Sequence, residues 1–297
     1  MDSAGDPSVF GVFAGSSPGG GTIRQLLRIP SNAEADLIQW KLTLFQDAKT
    51  QAPSGYELRY AYSSTDPGKP RLAEGGEILQ RQGAWTVGKG IKSNPDAVVY
   101  ELDGSVSFFR ADANILHLLN PDRSLMIGTG GWSYTLNRTD HSEKPVDPAL
   151  ALSQPDMSYQ ISPLATGPAV FGVFEGRSPC QGIARELRIL VDPACTKAKW
   201  RVTLYRNPET LAPTLYKVEG SLYRSGAREG TWTLIHGTQL DPSAIVYRLA
   251  PTGSEPALFL LRGDDNVLFL LNQNRNPLVG HGDFSYTLNR RSANGAT

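Results

Sequence analysis

Neither sign of charge is in excess: 29 Lys and Arg oppose 29 Asp and Glu over 297 residues. A chain with no net field has no general pull on nucleic acid or anionic lipid, so any partner is found through local chemistry. Long hydrophobic runs are missing too. No stretch reaches the roughly 18 to 20 apolar residues that a membrane-spanning helix needs. The start, "MDSAGDPS", is polar and small and does not read as an export signal; it fits a flexible tail or a start codon placed on a mature sequence. Catalytic signatures are equally scarce. No phosphate-binding glycine loop or His-Glu-x-x-His helix occurs, and the carboxylates recur mainly in turns. A non-enzymatic chain that needs no cofactor is the expectation.

Cysteine and histidine are also few. Cys180 and Cys195 are the two cysteines, and both a disulfide and a pair of buried thiols fit them. A cross-link closing a loop of this size contributes roughly 3 kcal/mol in the chain-entropy view. The four histidines, His117, His141, His236 and His281, are scattered. With Cys180, His236 and His281 form the one metal-ligand set that can be proposed without forcing, and it is a weak one.

What the chain has is a repeat. "GGWSYTLNR" at Gly130 to Arg138 returns as "GDFSYTLNR" at Gly282 to Arg290, and "VFGVFAGSSP" from Val9 returns as "VFGVFEGRSP" from Val170. Between these, "WKLTLF" from Trp40 meets "WRVTLY" from Trp200, "GAWTV" from Gly83 meets "GTWTL" from Gly230, and "NILHLLN" from Asn114 meets "NVLFLLN" from Asn266. The preserved order makes this a tandem duplication, which sets the fold before any single motif does. Modules are expected at residues 1–138 and 169–297. The intervening 139–168 carries five prolines and no sustained period, as a semi-rigid linker does. Its apolar Leu150, Leu152, Ile161 and Leu164 leave open a course along a module surface.

Period two dominates within each copy. Trp40, Leu42 and Leu44 share one strand face while Lys41 and Thr43 share the other, and Trp200, Val202 and Leu204 repeat this beside Arg201 and Thr203. "LDGS" at Leu102, "GDDN" at Gly263, "NPDRS" at Asn120 and "NQNRN" at Asn272 punctuate the runs as turns do. No window shows a helical stripe. Eight to ten short strands in each module predict an all-β chain of two tandem small antiparallel barrels, closure being favoured because it removes exposed strand edges.

The paired aromatics are the best-placed candidates for a site. Trp40 with Trp200, and Trp85 with Trp232, occupy equal places in strands, where each either plugs its barrel or lines an apolar ligand cavity. His117 is answered by Phe269 in the other copy and reads as a packed or rim residue rather than a ligand. The "RGDD" at Arg262 answers "RADA" at Arg110, so a turn after an apolar strand explains both.

One stretch carries a wider likeness. "FEGRSPCQGIARELRI" at Phe174 to Ile189, followed by "GTWTL" and "AIVYRL", resembles the N-terminal domain of NlpE, a copper-resistance and envelope-stress lipoprotein. The likeness covers nearly all of the second module and extends to the first through the repeat. It implies lipocalin-like barrels, a Leu-x-Leu strand after the turn, and residence in the bacterial envelope (periplasm or outer membrane). Membrane contact is then expected only through a lipid anchor upstream of Met1. The expected partner is an envelope protein, with a small apolar ligand or copper as alternatives. The family's Cys-x-x-Cys is not intact here. Gln181, Gly182 and Ile183 follow Cys180, and Gly19 stands at its place in the first copy, which puts copper in doubt and leaves Cys180 to pair with Cys195 across strand ends.

Overall fold

The computed structural model describes residues 7–65, 72, 76–140, 162–223 and 226–292. They form two compact units, each built around a closed antiparallel barrel of eight strands in chain order. The first barrel is β1 (Pro7–Pro18), β2 (Leu37–Asp47), β3 (Pro53–Ser63), β4 (Glu77–Ile91), β5 (Asn94–Leu102), β6 (Val106–Asp112), β7 (Ile115–Leu118) and β8 (Thr135–Arg138), with a short helix α1 (Thr22–Leu27) after β1. The second is β9 (Val170–Pro179), helix α2 (Cys180–Glu186), β10 (Lys197–Arg206), β11 (Pro213–Gly220), β12 (Arg228–His236), β13 (Ile245–Pro251), β14 (Leu258–Arg262), β15 (Val267–Leu271) and β16 (Thr287–Arg291). The predicted all-β pair of tandem antiparallel barrels is therefore what the chain forms.

Closure is made by the first and last strand of each copy. Phe13 lies opposite Arg138 and Ala14 opposite Asn137 in the first barrel, and Phe174 lies opposite Arg290 and Glu175 opposite Asn289 in the second. The repeated "SYTLNR" is thus the strand that shuts each barrel. Alternation does the rest: Trp40, Leu42 and Leu44 of β2 are buried while Lys41 is exposed, as period two requires. At the β5 to β6 turn, Asp103 and Gly104 both take positive φ, 47° and 67°, which matches the backbone twist of the flanking strands. The β14 to β15 turn, which answers the β6 to β7 turn of the first barrel, uses no such pair. Instead the Asp264 carboxylate accepts from the Asn266 and Val267 N–H groups at 2.7 and 2.9 Å.

Two elements depart from the sequence reading. The expected Leu-x-Leu strand after β9 is the end of α2 and its exit, and β1 is followed by α1 in the same way. With 6 and 7 residues these helices are too short to register as a stripe, and the visible cue is two apolar residues four apart. Ile23 with Leu27, and Ile183 with Leu187, are buried in their barrel cores. Arg28 and Arg188, at φ 57° and 55°, then turn the chain out in the left-handed conformation.

Most of the proline-rich linker, residues 141–161, lies outside the described residues, and Leu150, Leu152 and Ile161 with it. Its two described ends are tied to their own barrels. The Thr139 N–H donates to the Val12 carbonyl at 2.7 Å. At the other end Ser162 donates to Glu219 at 2.7 Å, and the Arg201 guanidinium donates to the Ser162 carbonyl. Leu164 is half-buried there.

Each barrel holds its tryptophans by the same pair of bonds. Trp40 Nε1 donates to Ser17 Oγ and Trp200 Nε1 to Ser178 Oγ, both at 2.8 Å and both buried. Losing the acceptor strands a buried indole N–H, which costs about 1–3 kcal/mol. Ser17→Ala and Ser178→Ala are therefore expected to destabilise their own barrels by similar amounts in that range, read by denaturant melts with segment-resolved amide exchange.

Candidate functional site

The four candidate tryptophans all lie in barrel cores, at 2–3% exposure. Trp85 Nε1 donates to the Phe45 carbonyl and Trp232 Nε1 to the Tyr205 carbonyl, both at 2.6 Å. Around them the two copies build one cluster twice. Phe10, Trp85 and Tyr100 stand with ring centres 5.2 and 5.0 Å apart, and Phe171, Trp232 and Tyr247 with ring centres 5.2 and 5.1 Å apart. A last-strand arginine covers each cluster. Arg138 donates to the Phe10 carbonyl at 2.6 Å with its guanidinium 5.8 Å over that ring, and Arg290 donates to the Phe171 carbonyl at 2.7 Å with its guanidinium 5.3 Å over the ring. Such contacts contribute about 0.5–2 kcal/mol each. They also explain the glycine of "FGVF". A side chain at Gly11 or Gly172 would enter the space held by Arg138 or Arg290 and the next phenylalanine. What these residues do chemically is fill and fasten.

Cys180 and Cys195 are joined by a disulfide. Cys180 opens α2 and Cys195 lies in the loop before β10, so the link spans a helix start and a loop, where two strand ends were expected. In the first barrel Gly19 and Ala35 stand at these two places, packed so tightly that a side chain on Gly19 would strike the Ala35 carbonyl. One copy makes covalently the contact that the other makes by close packing. The sulfur of Cys180 is thereby committed. His236 is exposed at the end of β12, with Nδ1 3.5 Å from the Ser243 carbonyl, and His281 accepts the Asp283 N–H at 3.2 Å. Burial lowers the His281 pKa and Asp283 opposes that shift. Among the described residues, no three or more His, Cys, Asp or Glu side chains group as a metal site would need.

No family model, curated protein or solved structure matches the chain. Site assignment therefore rests on the geometry of the two copies, and on where they differ.

The second barrel carries a recess of about 250 Å³, lined by Tyr205, Leu215, Tyr216, Lys217, Glu229 and Gly230. Three adjacent strands make it: Tyr216 lies opposite Gly230 and Lys217 opposite Glu229, while Leu215 is 59% exposed. In the first barrel Tyr56 lies opposite Gly83, and the Asp103 carboxylate fills the space beside that glycine while accepting from the Tyr56 hydroxyl at 2.8 Å. Burial and then Asp103 push the Tyr56 pKa up to about 12. Where Leu102 is followed by Asp103, Leu249 is followed by Ala250, whose backbone carbonyl stands beside Gly230. Burial also raises Tyr216 to about 12, with Arg228 opposing it. The sequence cue was the change from Gly55 and Asp103 to Leu215 and Ala250, legible only once strand register is known.

"RGDD" is consumed by its own turn. Arg262 pairs with Asp265 at 2.7 Å, while Asp264, 9% exposed, caps the turn. The asymmetry at the cysteines carries a prediction. Replacing Cys180 and Cys195 together by serine is expected to lower the second barrel's stability by roughly 3 kcal/mol, the loop-closure value for this span, and to leave the first barrel unchanged. Unfolding of the two barrels resolved by amide exchange checks it.

Proposed function

We propose that the chain is a non-enzymatic, NlpE-like protein of the bacterial envelope, and that it works by binding an envelope protein with its barrel surfaces. The observation that carries this reading is the use made of the duplicated aromatics. Trp40, Trp85, Trp200 and Trp232 are buried in the two barrel cores with their N–H groups fastened to barrel residues. Residues spent in this way hold a barrel together and leave recognition to its exterior. The disulfide supports an oxidising compartment, where such links persist. Duplication supports a bivalent mode, in which engagement of one barrel raises the effective concentration for the other. The Leu215 recess is the place on the second barrel suited to an apolar side chain of that partner.

Two outcomes test the reading. Native mass spectrometry of the chain expressed with an export signal is expected to give its 32.2 kDa less the disulfide hydrogens, with no bound adduct. An adduct abolished by Trp232→Ala would replace surface binding with ligand carriage. A photo-crosslinker placed at Leu215 in living bacteria is expected to capture a defined envelope protein, and the same yield from a crosslinker at buried Leu249 would sink the surface assignment.

A further inference from the structure

The outer faces of the two barrels differ where the linker enters the second one. On β9, β10 and β11, Val173, Thr203 and Glu219 alternate with the core residues Phe174, Val202 and Val218, so they point away from the core. All three are nonetheless buried, at 3%, 3% and 5% exposure. Their counterparts in the first barrel are not: Val12 and Thr43 are half-buried and Arg59 is exposed.

Residues 162–169 supply the cover. At one end the Arg201 guanidinium donates to the Ser162 carbonyl, and Glu219 accepts from the Ser162 hydroxyl at 2.7 Å. At the other end the Arg206 N–H donates to the Ala169 carbonyl at 2.8 Å. From Arg201 to Arg206 is a rise of roughly 17 Å along β10, against a reach of about 24 Å for the chain from Ser162 to Ala169. With so little slack the segment passes alongside Thr203, which lies between the two anchors.

What holds this strap is polar and sits at its ends. Pro163 and Pro168 have no N–H to lace it into a ladder, and of its side chains only Leu164 and Ala165 are half-buried. The pins also keep charge partners without it. Glu219 retains Lys217 at 3.1 Å, and Arg201 retains Glu175, with its Nε 2.6 Å from that carboxylate and Arg291 3.5 Å from it. Departure of the strap therefore leaves no buried charge unpaired, which is what makes breaking most buried ion pairs costly.

We propose that residues 162–169 are a releasable strap that closes the outer face of β9 to β11, while the matching face of the first barrel stays open. If barrel exteriors bind the partner, the strap withholds the second face until it is displaced, and the two copies engage in sequence. That consequence rests on the exterior-binding reading; the strap itself does not, and it is tested without a partner.

A thiol placed beneath the strap reads its release. In the full chain, where Cys180 and Cys195 are joined, Thr203→Cys provides one reactive thiol and Thr43→Cys provides its counterpart in the first barrel. Maleimide is expected to modify the Thr203→Cys protein at least about tenfold more slowly than the Thr43→Cys protein, as reaction there waits on local opening. Ser162→Ala lies outside the barrel and removes one hydrogen bond to a carboxylate, so it is expected to speed the slower reaction by about tenfold and leave the faster one unchanged. Arg201→Lys, copying Lys41, is expected to act in the same direction. Amide exchange in peptides covering 162–169 of the Ser162→Ala protein, with Thr203 in place, gives the same readout if the thiol variant does not fold. Equal rates for the two thiols before any pin is removed, or a strap whose protection is indifferent to Ser162→Ala and Arg201→Lys, overturns the proposal.

Discussion

Everything in each barrel depends on its first strand meeting its last. Eight short strands bury their inward faces against one another only if the sheet closes, because an open sheet of this length exposes both a core face and two unpaired edges. The closing pairs are few, two in the first barrel and three in the second. They are reinforced by arginines whose guanidinium groups reach back to the opening strand: Arg138 to the Phe10 carbonyl and Arg290 to the Phe171 carbonyl. The same side chains cover the aromatic clusters that fill the barrel, so closure and core packing are one event. Loss of either exposes the other.

This constraint accounts for which residues recur in the two copies. The glycines of "FGVF" leave room for the arginine, the tryptophans fill the interior, and the small polar residues before the Pro18 and Pro179 strand ends accept the indole N–H. What varies lies where closure does not depend on it. The Gly19 and Ala35 contact becomes a disulfide, Asp103 becomes Ala250, and His117 becomes Phe269. Each exchange swaps one way of filling a position for another.

Much of this was legible in residue order. The repeat marked the two modules, alternation in "WKLTLF" assigned the buried face, and "LDGS" marked a turn that uses two positive φ angles. The helices were not legible, since six or seven residues carry too little period to be distinguished from a loop. Nor was the recess, because the loss of a carboxylate at Ala250 matters only to a tyrosine and a glycine brought beside it by strand register. The cysteine pair was countable, but its equivalence to Gly19 and Ala35 required knowing that those two touch. Period and turn chemistry are local and are written in order. Contacts between strands far apart in the chain are not.

The most direct test of twin closed barrels is a set of cross-strand nuclear Overhauser effects between opening and closing strands. The structure predicts backbone contacts from Phe13 to Arg138 and from Phe174 to Arg290, each as persistent as those between the adjacent hairpin partners Trp40 and Tyr60. Absence of both closing contacts, with exchange-labile amides along β8 and β16, would contradict closure and the account built on it.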